Sequence, residues 1–194
     1  MRQADNVRAR AATALPLDFQ LADDVVRLRG MTVADARVVN QACADTEIIR
    51  FTCFAQPSDM SDTRAWIESQ PTLRLRGQAL DFAIVPVGGV VMIGSIGISS
   101  IELEDRRARI GYWIGPRSRG RGFASAALRL LSSWAIGPPL ELARLELVID
   151  AENIASRRVA EHAGYELDGI LRSYMRVKGR RWDVALYSLI APAQ

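Results

Sequence analysis

A loop rich in glycine and arginine, residues 115–122, separates a predicted strand from a predicted helix. Before the loop, residues of one strand face recur with a period of two at Ala108, Ile110, Tyr112 and Ile114. After it, apolar residues recur at helical spacing at Ala124, Ala127, Leu128, Leu131 and Trp134. The first turn of a helix has unpaired backbone N–H groups and the positive end of the helix dipole. Because glycine lets an anion approach these amides closely, this unit predicts a phosphate-binding site.

The sequence of the loop limits the kind of phosphate ligand. A nucleoside-triphosphate loop ends in Gly-Lys-Ser/Thr, and this loop does not. A dinucleotide-binding loop is one alternative, since Gly120 and Gly122 approach its glycine spacing, but the strand before them belongs to a predicted antiparallel meander. A turn that only caps the helix is another alternative. The arginines within the loop favour an anionic ligand over a simple cap.

The composition is that of an ordinary soluble protein. The 194-residue chain is 49% hydrophobic and 24% charged, with a formal net charge of +3, which does not by itself indicate nucleic-acid binding. Its cysteines, Cys43 and Cys53, and its single histidine, His162, do not have the spacing of metal ligands. No apolar run suits a signal peptide or a membrane span. We therefore predict a cytoplasmic protein with no metal, no membrane segment and no direct contact with nucleic acid.

The order of predicted elements indicates one mixed domain. Residues 1–20 are expected to form a flexible N-terminal arm, and residues 21–194 a single domain. Strands are predicted at residues 25–29, 80–84, 90–100, 108–114, 145–149, 165–177 and 182–190. Helices are predicted from residue 32, at residues 62–70, after residue 122, and from residue 153 to residue 164. This order predicts an α/β (α+β) fold with a mixed, mostly antiparallel sheet of about seven strands and about four helices.

Three segments together resemble a known family. Residues 117–124 match the R/Q-x-x-G-x-G/A signature of the GNAT superfamily of N-acetyltransferases. The segments IGYWIGPRSRGRGFASAAL, LELVIDAENIASRRVAEHAGYELDG and GRRWDVALYSLI follow in the order found in its RimJ/RimL-like branch. That branch includes enzymes that acetylate the α-amine of ribosomal proteins. The resemblance covers about residues 25–190, and it implies a GNAT-like fold with acetyl-CoA as the co-substrate.

The resemblance also implies where coenzyme A binds. The amides at the start of the helix would hold the pyrophosphate, and the end of the preceding strand would pair with the pantetheine arm as an added strand does. The strand at residues 144–150 would splay away from its neighbour to make room. Asn153 would contact the arm, although a helix N-cap is its alternative role. The implied cofactor-binding residues are Trp113, Ile114, Arg117, Arg119, Gly120, Arg121, Gly122, Phe123, Ala124 and Asn153.

The proton donor of the reaction is predicted from the same resemblance. The family's reaction is direct attack of a neutral amine on the thioester, and the leaving thiolate then needs a proton. Many members use a tyrosine on the helix after the asparagine, but this chain has Ala160 there. Ser156 matches the serine proposed as the acid in RimL-like enzymes. An ordinary serine on the helix surface is the alternative.

The base that takes the proton from the amine is expected to be a carboxylate. RimJ/RimL-like sequences often carry a glutamate in the strand before IGYW, but this chain has Arg109. Glu146 is the candidate base, and the other candidates are Glu102, Glu104 and Asp150. His162 lies near a predicted helix end and is expected to be a surface or capping residue.

The energy of deprotonation favours one class of acceptor. At pH 7, deprotonating a lysine side chain costs roughly 4.6 kcal/mol, whereas an α-amine costs only about 1 kcal/mol. A site without an obvious strong base therefore favours the N-terminal α-amine of a protein or peptide. A small-molecule amine (an antibiotic or polyamine) and another acyl donor are alternatives within this chemistry. A non-catalytic acyl-CoA sensor or interaction module and, more remotely, a nucleotide-dependent oxidoreductase belong to other classes.

Two expectations concern partners. The predicted C-terminal hairpin is basic, and it forms either a docking surface for an acidic partner or a solvated surface. Its basic residues are Arg172, Arg176, Lys178, Arg180 and Arg181. A homodimer is compatible with the sequence.

Overall fold

The computed structural model describes residues 19–52, 59–75 and 79–192. The predicted arm at residues 1–20 therefore lies almost entirely outside the described residues, and so does Cys53.

Within the described residues, eight strands form one sheet in the order β1-β2-β3-β4-β5-β6-β8-β7. Neighbouring strands are antiparallel except β5 and β6, which are parallel. This confirms the predicted mixed, mostly antiparallel fold. The additional strand, β1, has three residues, too few to show a period. The strands are β1 Gln20–Ala22, β2 Val26–Arg29, β3 Ala79–Pro86, β4 Gly94–Glu102, β5 Arg107–Ile114, β6 Arg144–Asp150, β7 Glu166–Val177 and β8 Arg180–Ile190.

Five α-helices lie in the described ranges. They are α1 Ala36–Ala42, α2 Thr46–Phe51, α3 Met60–Leu75, α4 Phe123–Ile136 and α5 Ile154–His162. The predicted start near Thr32 is a capping box, in which the Thr32 amide donates to Asp35 Oδ2 at 2.8 Å. The sequence analysis missed α2, a six-residue helix whose N-cap, Asp45, accepts a bond from the Ile48 amide at 2.9 Å. No helix in these ranges has the length and hydrophobicity needed to cross a bilayer.

Helices cover both faces of the sheet. On one face, Phe82 and Ile96 belong to a core that includes Leu128 and Leu131 of α4. On the other face, Ala83, Val85 and Trp113 pack with α1 and α3 through Val39 and Ile67. This two-sided burial follows from the alternation of side chains along each strand.

The parallel pair β5 and β6 opens into a wedge. The two strands pair only from Arg107 with Arg144 to Arg109 with Glu146, although β5 continues to Ile114 and β6 to Asp150. Beyond that point β5 follows β4, whereas β6 stays paired with β8 along its whole length. Residues 110–114 therefore face residues 147–150 across an unpaired gap, as the predicted splay requires.

Candidate active site

A cleft of about 1310 Å³ occupies this wedge and reaches both faces of the sheet. On one side it is lined by residues 118–125 and by α5. On the other side it is lined by residues of α1, α2, α3, β3 and β4. The wedge connects the two sides. We call them the loop side and the opposite side.

The start of α4 presents free amides to the loop side. Gly120 and Gly122 have φ angles of +72° and +78°, a conformation that favours glycine. The first backbone bond of the helix runs from the Ala126 amide to the Gly122 carbonyl at 3.0 Å. Within the part of the chain that the structure describes, no backbone carbonyl accepts a bond from the amides of residues 120–125. Together with the helix dipole, these amides make a site for an anion.

The arginines of the loop have different positions. Arg119 donates through Nε to the Ile114 carbonyl at 3.2 Å and through Nη2 to Asp45 Oδ1 at 2.6 Å, which ties the loop to the start of α2. Arg121 lies over the ring of Phe123, 4.9 Å from its centroid. Arg117 is exposed and does not line the cleft. The structure therefore does not bring the three guanidinium groups together on the amides.

The Arg119–Asp45 pair changes the ionisation of the carboxyl group. Burial acts to raise the pKa of Asp45, but hydrogen bonds from the Ile48 amide and from Arg119 lower it by more. The net pKa is therefore below its usual value. This contact is charged near neutral pH and holds the loop against α2.

The strand end and Asn153 also lie on the cleft wall. Trp113 and Ile114 pair with Ser95 and Gly94 of β4, so the other edge of β5 faces the wedge. Asn153 Oδ1 accepts a bond from the Ser156 amide at 3.0 Å and therefore caps α5. The capping role does not exclude a ligand role, because the amide group of Asn153 has two N–H donors as well.

Ser156 is joined to Tyr112, which the sequence analysis placed on one face of its strand without assigning it a role. Its Oγ lies 2.7 Å from the hydroxyl of Tyr112, and that hydroxyl also donates to the Ser156 carbonyl at 3.1 Å. Burial raises the pKa of Tyr112 to about 12, and the bond with Ser156 offsets only part of this effect. Tyr112 is therefore protonated near neutral pH. The two hydroxyls connect β5 with α5 beside the cleft.

The structure does not bring Glu146 to the cleft. Its carboxylate is 2.7 Å from Arg144 Nε and 3.8 Å from Arg109 Nε, and its side chain is only 7% exposed. Glu102, which is bonded to Arg107, and Glu104 do not line the cleft either. These carboxylates are therefore poorly placed to accept a proton from a substrate.

Two aspartates do reach the cleft wall. Asp150 is 4% exposed, with Oδ1 bonded to the Glu152 amide at 2.9 Å and with no partner for Oδ2 among the described residues. Asp81 of β3 was missed by the sequence analysis, which placed it inside the strand predicted at residues 80–84 without assigning it a role. Burial raises the pKa of Asp81 to about 6. A polar residue between buried apolar neighbours was the available signal.

The shifted pKa of Asp81 predicts a stability effect with a defined sign. Because the pKa is higher in the folded state than in the unfolded state, ionisation of Asp81 costs stability above about pH 6 and nothing below about pH 4. We expect Asp81→Asn to raise the free energy of unfolding by roughly 1–3 kcal/mol at pH 8. Urea denaturation of both proteins at pH 8 and pH 4 measures this. Equal differences at the two pH values would contradict the prediction.

Within the described ranges, no three His, Cys, Asp or Glu side chains are grouped as a metal site requires.

The comparisons with known proteins agree with this geometry. A family model described as "Acetyltransferase (GNAT) domain" matches residues 26–166. The protein called "Uncharacterized N-acetyltransferase p20" from Bacillus licheniformis is 34% identical over 163 residues, which cover 84% of this chain and 91% of that protein. The ribosomal-protein-serine acetyltransferase of Escherichia coli (strain K12) is 32% identical over 134 residues, which cover 69% of this chain and 73% of that protein. The structure of Mycobacterium smegmatis RimJ in complex with CoA-disulfide has a TM-score of 0.78 at 25% identity, covering 89% of this chain and 86% of that one.

Proposed function

This chain is an acetyltransferase that belongs to the GNAT family, and on that premise we propose that it transfers the acetyl group of acetyl-CoA to the N-terminal α-amine of a protein or peptide. The observation that carries the proposal is the wedge between β5 and β6, which opens beside the free amides of α4. The predicted cytoplasmic location is retained as part of this proposal.

The proposed coenzyme position follows from the groups that are unpaired. The diphosphate lies on the amides of residues 120–125, where the helix dipole favours negative charge. The pantetheine arm lies along the open edge of β5 and forms backbone hydrogen bonds there, as an added strand would. Asn153 stands at the other wall of the wedge. The thioester then reaches the wedge itself, where both sides of the cleft are accessible.

In the proposed reaction, the amine nitrogen forms a bond to the acetyl carbonyl carbon and the carbon–sulfur bond breaks. The thiolate takes a proton from the hydroxyl of Ser156, and Tyr112 is placed to orient that hydroxyl and to replace its proton. The nitrogen loses a proton to a base on the opposite side of the cleft.

The charges along the cleft support a cationic acceptor. The basic side chains on the loop side are Arg121, Arg129, Arg158 and Arg119, the last of which is paired with Asp45. On the opposite side, Arg109 is accompanied by four carboxylates, which are Glu47, Asp62, Asp81 and Asp150. An anionic coenzyme and an ammonium group are thus attracted to different ends of the cleft. The relative from E. coli, whose name gives a ribosomal protein as its substrate, supports a protein acceptor.

A pair of peptides tests the proposed acceptor. One peptide has a free N-terminus and no lysine, and the other is blocked at the N-terminus and carries one lysine. At pH 7 we expect kcat/KM to favour the free N-terminus by roughly two to three orders of magnitude, because much less energy is needed to deprotonate it. Release of free thiol from acetyl-CoA is the measurement.

Other outcomes of this experiment are equally informative. Preference for the lysine peptide would contradict the α-amine proposal, and turnover of polyamines or aminoglycosides alone would point to a small-molecule acceptor. Tight binding of acetyl-CoA in calorimetry without thiol release from any amine would support a sensor role instead.

A further inference from the structure

We propose that Asp81 is the general base of the acetyl transfer and takes the proton from the acceptor amine. This inference rests on the proposed function and names a residue of the same cleft.

The register of the sheet places Asp81 in line with the wedge. Asp81 is the Cα partner of Gly97 on β4, and Gly97 is the partner of Gly111 on β5. Beyond Arg109, β5 has no strand partner on its other side, so the next position in this row is the wedge. Neighbouring strands are about 4.8 Å apart, so the backbone of Asp81 lies roughly 10 Å from that edge of β5.

The two glycines keep the path between Asp81 and the wedge open. A β-carbon at Gly97 would overlap Asp81 Oδ1, so the carboxylate lies over the Gly97 backbone, one strand nearer to the wedge. A β-carbon at Gly111 would have no atom within 4 Å, so the surface between the carboxylate and the wedge is bare. An amine that attacks a thioester in the wedge fits on this surface, within reach of Asp81 directly or through one water molecule.

The surroundings of Asp81 leave its carboxylate available. Within the described residues it forms no hydrogen bond or ion pair. The charged groups on the packed elements are Glu47 on α2, Asp62 on α3, Arg109 on β5 and Asp150 on β6. Burial alone raises its pKa to about 6, and no neighbouring charge contributes. At neutral pH the group is ionised and yet more basic than an exposed aspartate, which is the condition for general base catalysis.

The proton balance of the step is complete. As the carbon–nitrogen bond forms and the carbon–sulfur bond breaks, the nitrogen gives one proton to the Asp81 carboxylate. The thiolate receives one from Ser156, and Tyr112 replaces the proton that Ser156 has lost. After the products leave, solvent returns a proton to Tyr112 and takes one from Asp81.

Replacement of Asp81 by asparagine tests the assignment. We expect Asp81→Asn to lower kcat roughly a hundred- to a thousandfold. Wild-type kcat/KM should fall with decreasing pH in two steps, one near the pKa of the acceptor α-amine, about 7.7–8.0, and a second one, the acidic limb, near pH 6. Asp81→Asn should remove the acidic limb and keep the first step. The Kd for acetyl-CoA, measured by calorimetry, should change less than twofold, because the coenzyme contacts lie on the loop side. Asp62→Asn, which removes an exposed carboxylate from the same cleft, should alter KM rather than the pH profile.

Two further variants keep the outcome decisive. Gly111→Val fills the bare surface and should lower kcat/KM at least tenfold with an unchanged Kd for acetyl-CoA. Asp150→Asn should keep the acidic limb. If Asp81→Asn retains kcat within threefold, or if Asp150→Asn loses the limb instead, Asp81 is not the base. Wild-type protein that releases no thiol with any amine would overturn the proposed function itself, and this inference with it.

Discussion

An Ala124→Glu variant should bind acetyl-CoA roughly 30- to 700-fold more weakly than the wild-type protein. Ala124 is in the first turn of α4 and lines the cleft beside the free amides. A carboxylate there lies next to the proposed position of a doubly charged diphosphate. At about 5 Å and an intermediate dielectric, the repulsion amounts to roughly 2–4 kcal/mol. The same charge interacts favourably with the helix dipole, which offsets part of the cost of a longer side chain at this partly buried position.

The matched control for this variant is Ala124→Gln, which has the same length without the charge. Any loss of affinity common to both variants comes from bulk, and the difference between them comes from charge. Calorimetry with acetyl-CoA at two salt concentrations gives the result, since screening should narrow the difference at high salt. Equal dissociation constants for the two variants would place the diphosphate elsewhere.

The second large effect is expected at the paired hydroxyls. Ser156→Ala should lower kcat roughly a hundredfold if its hydroxyl protonates the leaving thiolate. Tyr112→Phe removes the hydroxyl 2.7 Å from that of Ser156 and should lower kcat in the same direction. Because the two groups act in series, the double variant should be little worse than Ser156→Ala alone. Additive losses would mean that the hydroxyls work independently.

An activated acyl donor separates catalysis from structure in these variants. The thiolate of an acidic thiol is a good leaving group without a proton. With an acetyl thioester of such a thiol as the donor, the loss of kcat in Ser156→Ala should therefore largely disappear. A deficit of unchanged size would contradict the acid role. Thermal unfolding at the assay pH controls for damage to the helix N-terminus.

The sequence indicated the parts of the site that are local in the chain. The strand, the glycine loop and the helix after it are contiguous, so the predicted phosphate site could be read from residues 108–135. The splay of residues 144–150 came from the family resemblance, because strand pairing is not visible in one sequence. The strand β1 and the helix α2 are too short for periodicity to detect.

The side chains with proposed catalytic roles were harder to predict because they meet across the fold. Tyr112 and Ser156 are 44 positions apart, and only the packing of α5 beside β5 joins them. Asp81 lies in line with the wedge because its strand pairs in register with Gly97, which in turn pairs with Gly111. A local sequence pattern does not reveal such a register. Glu146 was an acceptable candidate from its position, but the arginines around it became apparent only in the folded chain.

The three-residue contact between β5 and β6 divides the sheet into a block of five strands and a block of three. Within each block, neighbouring strands pair over most of their length. Across the seam, only three residue pairs of β5 and β6 are in register, and α4 packs on α5 beside them. A molecule with amide groups that lies in this seam supplies cross-links that the polypeptide lacks. Ligand occupancy should then slow amide hydrogen exchange along both lips of the seam, even at residues that the ligand does not touch.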